Sequence, residues 1–278
     1  MRFGLRLAST TAFVIALSAA VALTGHVAEG QSRLRPWLGV ELDKAGTVPR
    51  GVRIHHAVRS SPAWSAGVRD GDVIVRVEDA VASRPDDVIR EVAAHTPGAL
   101  VRVVLLRSGA EVLLTITLQA APDGDEMLRL DKVGAPAPAS WKGLASVAGP
   151  LPGGIAELRG RVVIVDFWAT WCMACRMSAP KLTSWQAKFG AQGLSVIGIT
   201  DDPVEQASAG AQDFGMRYAT VASDESYATQ RAFGVRALPT VFVIDKRGVI
   251  RDVSVGFDPR KEAQMESLLR RLLAEPAP

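Results

Sequence analysis

Hydrophobic and polar positions divide the chain into a region of short strands and a later region in which strands and helices alternate. The first region has brief apolar runs separated by turn residues, with one helix near 84–95 and strands predicted at 37–42, 51–57, 73–78, 100–107 and 111–118. The second region has predicted strands at 161–168, 194–200, 240–244 and 249–255 and predicted helices at 172–189, 204–214, 227–233 and 259–273. Such alternation is typical of an α/β sheet whose faces are covered by helices.

The stretch between these regions, residues 120–140, is rich in Ala, Pro and Asp and has little periodicity, which is typical of a linker. We therefore expect one domain at 34–121, a linker at 122–132 and a second domain at 133–278. A length of 278 residues suits two domains of ordinary size. The composition, 48% hydrophobic and 22% charged, excludes a disordered or fibrous chain.

The first 30 residues have the pattern of an export signal. Arg2 and Arg6 precede an apolar run from about residue 7 to residue 23, and the chain then becomes polar. A run of this length is also at the short end of what crosses a bilayer, so a retained N-terminal anchor stays open as the alternative to cleavage. Either interpretation predicts a periplasmic or other extracytoplasmic location for the rest of the chain.

The net charge is small and evenly distributed. It amounts to +3, from 32 Lys+Arg against 29 Asp+Glu, and no region carries a concentrated basic surface. Nucleic acid is therefore not an expected partner.

The two cysteines of the chain, Cys172 and Cys175, form a single C-x-x-C motif. The motif follows an apolar strand and begins a helical stretch, so free backbone N–H groups and the helix dipole would favour a thiolate at Cys172. Cys175, one turn later, could then attack a mixed disulfide on Cys172 and release the reduced partner. This spacing predicts a redox-active disulfide.

Two other uses of a C-x-x-C motif need to be weighed. A zinc site would need further ligands, but there is no third cysteine, and the four histidines all lie before the linker. We therefore expect no metal and no cofactor. A purely structural disulfide stays open, although so short a loop would constrain the unfolded chain little.

The second region resembles the thioredoxin superfamily, and within it the exported TlpA/ResA-like branch. The resemblance runs from about residue 133 to 256 and is carried by the segments VGAPAPAS, ELRGRVVIVDFWATWCMACR and GVRALPTVFVID. It implies an α/β thioredoxin-like fold with a central mixed sheet and flanking helices, and the activity of a thiol-disulfide oxidoreductase.

The resemblance also implies roles for individual residues. Trp171 is the aromatic residue before the nucleophile, Cys172 is the attacking cysteine and Cys175 is the resolving one. Asp166 matches the buried acid that serves proton transfer to the resolving thiol, and Pro239 matches the cis-proline that faces the cysteine pair.

The motif departs from the family in two places. Met173 and Ala174 replace the Gly-Pro or Pro-Pro pair, and Ser178 stands where the branch usually has Glu. These changes bear on the redox potential rather than on the type of reaction. A peroxidase of the peroxiredoxin type would need a differently spaced proline and threonine, whereas Thr170 stands only two residues ahead of Cys172.

The first region resembles a PDZ domain of the HtrA-protease type, through WLGV, SSPAWSAGVRDGDVIVRVED and HTPGALVRVVLLRSG. The fold implied is small and mostly β. Backbone N–H groups around Leu38, Gly39 and Val40 would receive a peptide C-terminus, and the following strand would pair with the peptide. Val88 and Val92 on the facing helix are expected to form the side-chain pocket, although Leu38 and Val40 could equally be ordinary core residues.

Together these features predict an exported thiol-disulfide oxidoreductase, acting more as a reductase than as an oxidant. Its expected partners are a disulfide- or dithiol-containing client protein, a membrane electron-transfer protein and a peptide C-terminus at the PDZ domain. The alternative is a scaffold or adaptor protein in which the thioredoxin-like half carries a non-catalytic disulfide.

Overall fold

A computed structural model describes residues 35–44, 48–139 and 141–278. The chain from residue 34 to its end forms one compact unit. The predicted export signal or anchor at 1–30 lies outside the described residues. Among the residues that are described, no helix is both long and apolar enough to cross a membrane.

The first region is a small, mostly antiparallel β domain. Its strands are β1 (Pro36–Trp37), β2 (Val40–Leu42), β3 (Val52–Ala57), β4 (Val73–Val77), β5 (Ala80–Val81), β6 (Leu100–Arg107), β7 (Ala110–Thr117) and β8 (Gln119–Ala120), and its helices are α1 (Pro62–Ser65) and α2 (Pro85–Ala93). The main sheet has the order β2-β3-β4-β6-β7 with β5 beside β4, and β1 pairs with β8 in a separate ribbon. Strand β2 is thus an edge strand of the main sheet.

The predicted strand 37–42 is broken in two at Gly39. Gly39 has a φ of +88°, and a Cβ atom added there would lie 2.1 Å from the Cβ of Ser61. Only glycine combines this backbone conformation with so close a neighbour. The resulting bend ends β1, turns the Leu38–Gly39 backbone away from the ladder and begins β2.

The segment predicted to be a linker contains a helix, α3 (Gly124–Lys132). The side chain of Asp123 caps it by accepting a hydrogen bond from the Glu126 amide at 2.7 Å. Acidic residues lie in its first turn and basic residues in its last, which suits the helix dipole. Leu128 packs against the core of the second region, so tertiary contact stabilises a nine-residue helix that periodicity alone did not indicate.

The second region is a mixed sheet with helices on both faces. Its strands are β9 (Ala145–Ala148), β10 (Val162–Trp168), β11 (Leu194–Thr200), β12 (Thr220–Ser223), β13 (Thr240–Ile244) and β14 (Ile250–Val255). Its longer helices are α4 (Met173–Phe189), α5 (Val204–Asp213), α6 (Ala228–Phe233) and α7 (Glu262–Ala274), and 3-10 turns occur at Ile155–Leu158, Gly190–Gln192 and Pro259–Lys261. The strand order is β14-β13-β10-β11-β12-β9.

Strand β10 lies inside this sheet, parallel to β11 on one side and antiparallel to β13 on the other. All of its residues are buried, as expected for a strand covered on both faces. Because side chains alternate along a strand, Val163, Val165 and Phe167 lie on the face of the sheet that α6 covers. There, Phe167 packs against Phe233 and Phe242. The residues between them face α4, and Asp166 is one of these.

The predicted fold class, an α/β thioredoxin-like fold preceded by a small mostly-β PDZ domain, is confirmed. Strands β9 and β12 were not predicted. Each has only four residues, and β9 is an edge strand whose side chains are largely exposed, so neither has a pattern long enough to stand out. The boundary between the two domains stays a prediction.

Candidate active site

The two cysteines form a disulfide at the N-terminus of α4. Cys172 is the residue that caps the helix, and its Sγ accepts a hydrogen bond from the Cys175 amide at 3.1 Å. The Cα atoms of the bonded pair are 5.2 Å apart. Cys172 is 5% exposed and Cys175 only 1%, so Cys172 is the more accessible residue of the pair. A thiolate at Cys172 would face the positive end of the helix dipole.

Large apolar side chains around the disulfide are exposed. Trp171 is 72%, Met173 68% and Met177 55% exposed, and the two methionines are one turn apart on α4. Clustered exposed apolar side chains mark interaction surfaces, and methionine adapts its shape to different partners. This rim is therefore a candidate surface for contact with another protein.

Pro239 lies just before β13, and the Leu238–Pro239 peptide bond is cis. Leu238 packs against the apolar cluster that contains both cysteines. Pro239 and Gly256 also line a cavity of about 60 Å³, together with Ser178 of α4. The Ser178 hydroxyl donates a hydrogen bond to the Cys175 carbonyl at 3.0 Å. Ser178 replaces the glutamate usual in related proteins, so a small neutral side chain lies next to Cys175.

Asp166 is fully buried on β10, on the face of the sheet that α4 covers. One of its carboxyl oxygens accepts a hydrogen bond from the Tyr218 hydroxyl at 2.9 Å, and the other has no hydrogen-bond partner among the described residues. Burial raises the pKa of Asp166 to about 7, against the opposing effect of the Tyr218 hydrogen bond. A carboxyl group with this pKa can accept or donate a proton near neutral pH.

Sequence reasoning missed Tyr218 and the glycine that accommodates it. A Cβ atom on Gly198 would lie 3.1 Å from the Tyr218 ring and 3.1 Å from Nε1 of Trp168. Burial raises the pKa of Tyr218 well above its usual value, so its hydroxyl stays protonated and donates to Asp166. Tyr218 and Asp166 are 52 residues apart, and no local signal connects them.

The predicted peptide-binding loop has its carbonyl groups occupied and its amides available. The Leu38 and Gly39 carbonyls accept hydrogen bonds from the Ala63 and Val58 amides, each at 2.9 Å. The amides of Leu38 and Gly39 donate no hydrogen bond to any described residue. Val40 then begins the edge strand β2, whose outer side carries no partner strand among the described residues.

The structure places Val88 and Val92 of α2 in the core rather than on an open surface. They are 2% and 8% exposed and belong to the same cluster as Leu38. Ile89, which is 59% exposed, is the large apolar side chain that α2 leaves uncovered. The side chain of Leu38 is therefore a core side chain, whereas the Leu38 backbone amide is available to donate a hydrogen bond.

No group of three or more His, Cys, Asp or Glu side chains that could hold a metal ion occurs within the described ranges.

Comparison with known proteins finds two family matches along the chain. Residues 36–118 match the PDZ domain family, and residues 154–253 match the AhpC/TSA family. The thiol:disulfide interchange protein DsbE of Pseudomonas aeruginosa is 32% identical over 124 residues, which are 44% of this chain and 67% of that protein. The thiol-disulfide oxidoreductase ResA of Bacillus anthracis is 29% identical over 119 residues, 42% of this chain and 67% of ResA.

Other relatives share less of their length or are known as solved structures. Protein DipZ of Mycobacterium tuberculosis is 30% identical over 142 residues, 49% of this chain but only 20% of DipZ. A thiol:disulfide interchange protein of the thioredoxin family from Chlorobium tepidum is 29% identical with a TM-score of 0.43, covering 50% of this chain and 98% of that one. The structure of the HtrA-type protease AlgW with a decapeptide is 30% identical with a TM-score of 0.30, and the match covers 32% of this chain and 30% of AlgW.

Proposed function

The chain belongs to the thiol-disulfide oxidoreductases with a thioredoxin-like domain, and from that premise we propose that Cys172 and Cys175 exchange disulfides with client proteins. The observation that carries the proposal is the position of the pair. Cys172 caps α4, accepts a backbone hydrogen bond at its sulfur and is surrounded by exposed apolar side chains. A structural disulfide would require neither an activated sulfur nor an apolar rim.

In the reductive direction, the reaction begins with both cysteines reduced. The Cys172 thiolate attacks one sulfur of a client disulfide, a new S–S bond joins client and protein, and the second client sulfur leaves as a thiolate. The N-terminus of α4 stabilises the Cys172 thiolate before attack. Trp171, Met173 and Met177 hold the client segment during this step.

The resolving step releases the client. Cys175 loses its proton to the Asp166 carboxylate and attacks Sγ of Cys172, which re-forms the Cys172–Cys175 disulfide. The client sulfur bonded to Cys172 leaves as a thiolate, and the two client thiolates take up the proton held by Asp166 and one from water. The client thus leaves as a dithiol with the two electrons that the cysteine pair has lost. Asp166 suits this role because its raised pKa makes it a stronger base than an ordinary carboxylate.

Repeated turnover needs a source of electrons, for which we propose a membrane electron-transfer protein that supplies a dithiol to the oxidised pair. We also propose that the chain works outside the cytoplasm, as the pattern of residues 1–30 predicts. Recovery of the full chain in a periplasmic or other extracytoplasmic fraction supports this compartment, and recovery in the cytoplasm contradicts it.

Single-cysteine variants test the assigned roles. Cys172→Ser should abolish turnover of a disulfide substrate, whereas Cys175→Ser should trap clients as mixed disulfides that appear as higher-mass bands without reductant. Faster alkylation of Cys175 than of Cys172 in the reduced protein would reverse the roles. A wild-type protein without turnover would support the scaffold alternative.

The direction of electron flow is tested by titrating the pair against glutathione. A reduction potential near that of thioredoxin, about −270 mV, supports a reductase, and a value near that of DsbA, about −120 mV, contradicts it.

For the PDZ domain, we propose that it binds client C-termini through the Leu38 and Gly39 amides and the β2 edge. Peptides that end in an apolar residue with a free carboxylate should bind, and amidation should weaken binding by about 1.5 to 3 kcal/mol because it removes a charge-assisted hydrogen bond. Fluorescence anisotropy of labelled cysteine-free peptides measures the difference. Equal binding of both forms contradicts recognition of the carboxylate.

A further inference from the structure

Strand β2 lies close to the loop that carries Pro239. Glu41 of β2 accepts a hydrogen bond from the Arg236 guanidinium at 3.2 Å. Arg236 precedes Pro239 by three residues, and three residues of extended chain span at most about 10 Å. Leu238, between them, packs against the cluster that contains Cys172. The peptide-binding edge and the disulfide are therefore within reach of one short peptide.

The Glu41–Arg236 pair alone would not fix this arrangement, because both side chains are exposed and water screens their attraction. Helix α3 supplies further contacts on both sides. Toward the PDZ domain, Asp131 bonds to Nε2 of His56 at 2.7 Å and accepts from the Arg59 amide at 3.3 Å. Toward the mixed sheet, Arg129 donates to Asp252 of β14.

The apolar side of α3 strengthens the second attachment. Leu128 and the following Val133 pack against the core of the thioredoxin-like domain. A Cβ atom on Gly234 would lie 3.4 Å from a methyl group of Leu128, so glycine allows close approach at this contact. The two domains are joined by a packed helix, which holds β2 at a defined place beside the Pro239 loop.

A peptide paired with β2 would present alternate side chains to the two sides of the strand. Val40 and Leu42 pack against the PDZ core, whereas Glu41 lies on the side of Arg236. With its carboxylate at Leu38 and Gly39, the peptide would run antiparallel to β2 and continue upstream past Leu42. Every second side chain of the paired segment would thus lie on the side of the Pro239 loop.

We propose that both sites act on one client molecule: the PDZ domain binds its C-terminal tail, and Cys172 exchanges with a cysteine a short distance upstream in the same tail. The substrate class is a protein whose C-terminus is apolar and free and which carries a disulfide-bonded cysteine within about ten residues of it, an extended reach of about 33 Å. This inference rests on the proposed function. Docking makes the exchange intramolecular and raises the effective concentration of the client cysteine to about the millimolar range.

The test uses the full chain, freshly reduced, and synthetic peptides with an apolar C-terminal residue. Each peptide carries one cysteine as a mixed disulfide with 5-thio-2-nitrobenzoate, placed 3, 6, 9 or 20 residues before the end. Attack by Cys172 on the peptide sulfur expels the nitrobenzoate as a coloured thiolate, and Cys175 then releases the peptide as a thiol. Each peptide is made with a free or an amidated C-terminus.

We expect the second-order rate constant at low micromolar peptide to be at least tenfold higher for the free acid than for the amide when the cysteine is 6 or 9 residues from the end. The advantage should shrink at 20 residues and disappear when an excess of the cysteine-free acid is added. Gly39→Ala should reduce the free-acid rate to the amide rate, whereas Gly109→Ala, at a positive-φ turn with open space around it, should leave the rate unchanged.

The outcomes separate this inference from the proposals beneath it. If the free acid binds more tightly than the amide but both react at equal rates at every cysteine position, the shared-client inference is overturned while docking and exchange stand. Equal binding of acid and amide overturns carboxylate docking and this inference with it. If no peptide reacts, the redox proposal itself fails.

Discussion

The two domains use different atoms for their proposed work. In the thioredoxin-like domain the chemistry depends on side chains, two cysteines and a buried carboxyl group, held by a sheet whose central strand is entirely buried. In the PDZ domain the proposed recognition group is the backbone of Leu38 and Gly39, and the side chains around it belong to the core. A substitution can therefore remove the first activity by changing a functional group, but it removes the second mainly by changing the shape of the chain.

This difference also separates stability from function in the two domains. Asp166 is a costly buried group whose ionisation should reduce the stability of the folded protein. Gly39 has no functional group, yet its conformation determines where two amides point. The following predictions test the contrast, from the largest expected effect to the smallest.

Asp166→Asn should remove a large pH dependence of stability. Burial raises the pKa of Asp166 to about 7, above its value in the unfolded chain. The protonated carboxyl therefore adds to the free energy of unfolding, fully below the unfolded-state pKa, and this addition is lost as pH rises through 7. The stability of the variant relative to the wild type should thus increase by about 4 kcal/mol between pH 4 and pH 8. Urea unfolding at both pH values measures it, and a constant difference would contradict it. The variant should also resolve mixed disulfides slowly.

Gly39→Ala should damage the PDZ domain and spare the cysteine chemistry. The added methyl group meets Ser61 and adopts an unfavourable φ, which should cost about 1 to 3 kcal/mol in folding free energy and abolish the preference for free-acid peptides. Gly109→Ala is the matched control, because its φ of +84° is similar but nothing lies within 4 Å of the added Cβ. Reduced alkylation rates at Cys172 in the Gly39 variant would show that the sites are not separable.

Tyr218→Phe should shift the pH profile of the resolving step upward. The Tyr218 hydroxyl lowers the pKa of Asp166 by hydrogen bonding, so its removal raises that pKa further. The decay of the mixed disulfide, followed by quenched-flow sampling across pH, should therefore reach half its maximal rate at higher pH than in the wild type. A purely structural role would change the rate without moving the midpoint.

His56→Gln should have the smallest effect, confined to the contact between the PDZ domain and α3. Burial lowers the pKa of His56, but hydrogen bonds and charge from Asp131 and Asp70 raise it more, so the net shift is upward. The stabilisation that protonated His56 gives the folded protein is therefore present below the pKa of His56 in the unfolded chain. It is lost as pH rises through the higher pKa of His56 in the folded protein. The variant should lose up to about 1 kcal/mol at pH 6 and less at pH 9.

Urea unfolding at the two pH values measures this loss. The neighbouring exposed His55→Gln serves as the control. An equal loss for His56→Gln at both pH values would mean that the ion pair with Asp131 does not stabilise the contact.

The sequence by itself determined the features that depend on neighbouring residues. A C-x-x-C motif after an apolar strand predicts which sulfurs exchange and which end of a helix they occupy, because all of that information lies within about ten residues. The cap at Asp123 is also local in origin. The Asp123 cap shows that a local signal was present in the predicted linker, although the missing periodicity concealed it.

Only the tertiary structure decided which distant groups meet. Tyr218 reaches Asp166 across 52 residues, His56 reaches Asp131 across 75 and Arg236 reaches Glu41 across 195. The packing of α3 also turned an expected linker into a bridge between domains. These pairings follow from the order of strands in the sheets and from which helix faces are buried. No single segment encodes them, because each depends on the free energy of burying several segments together.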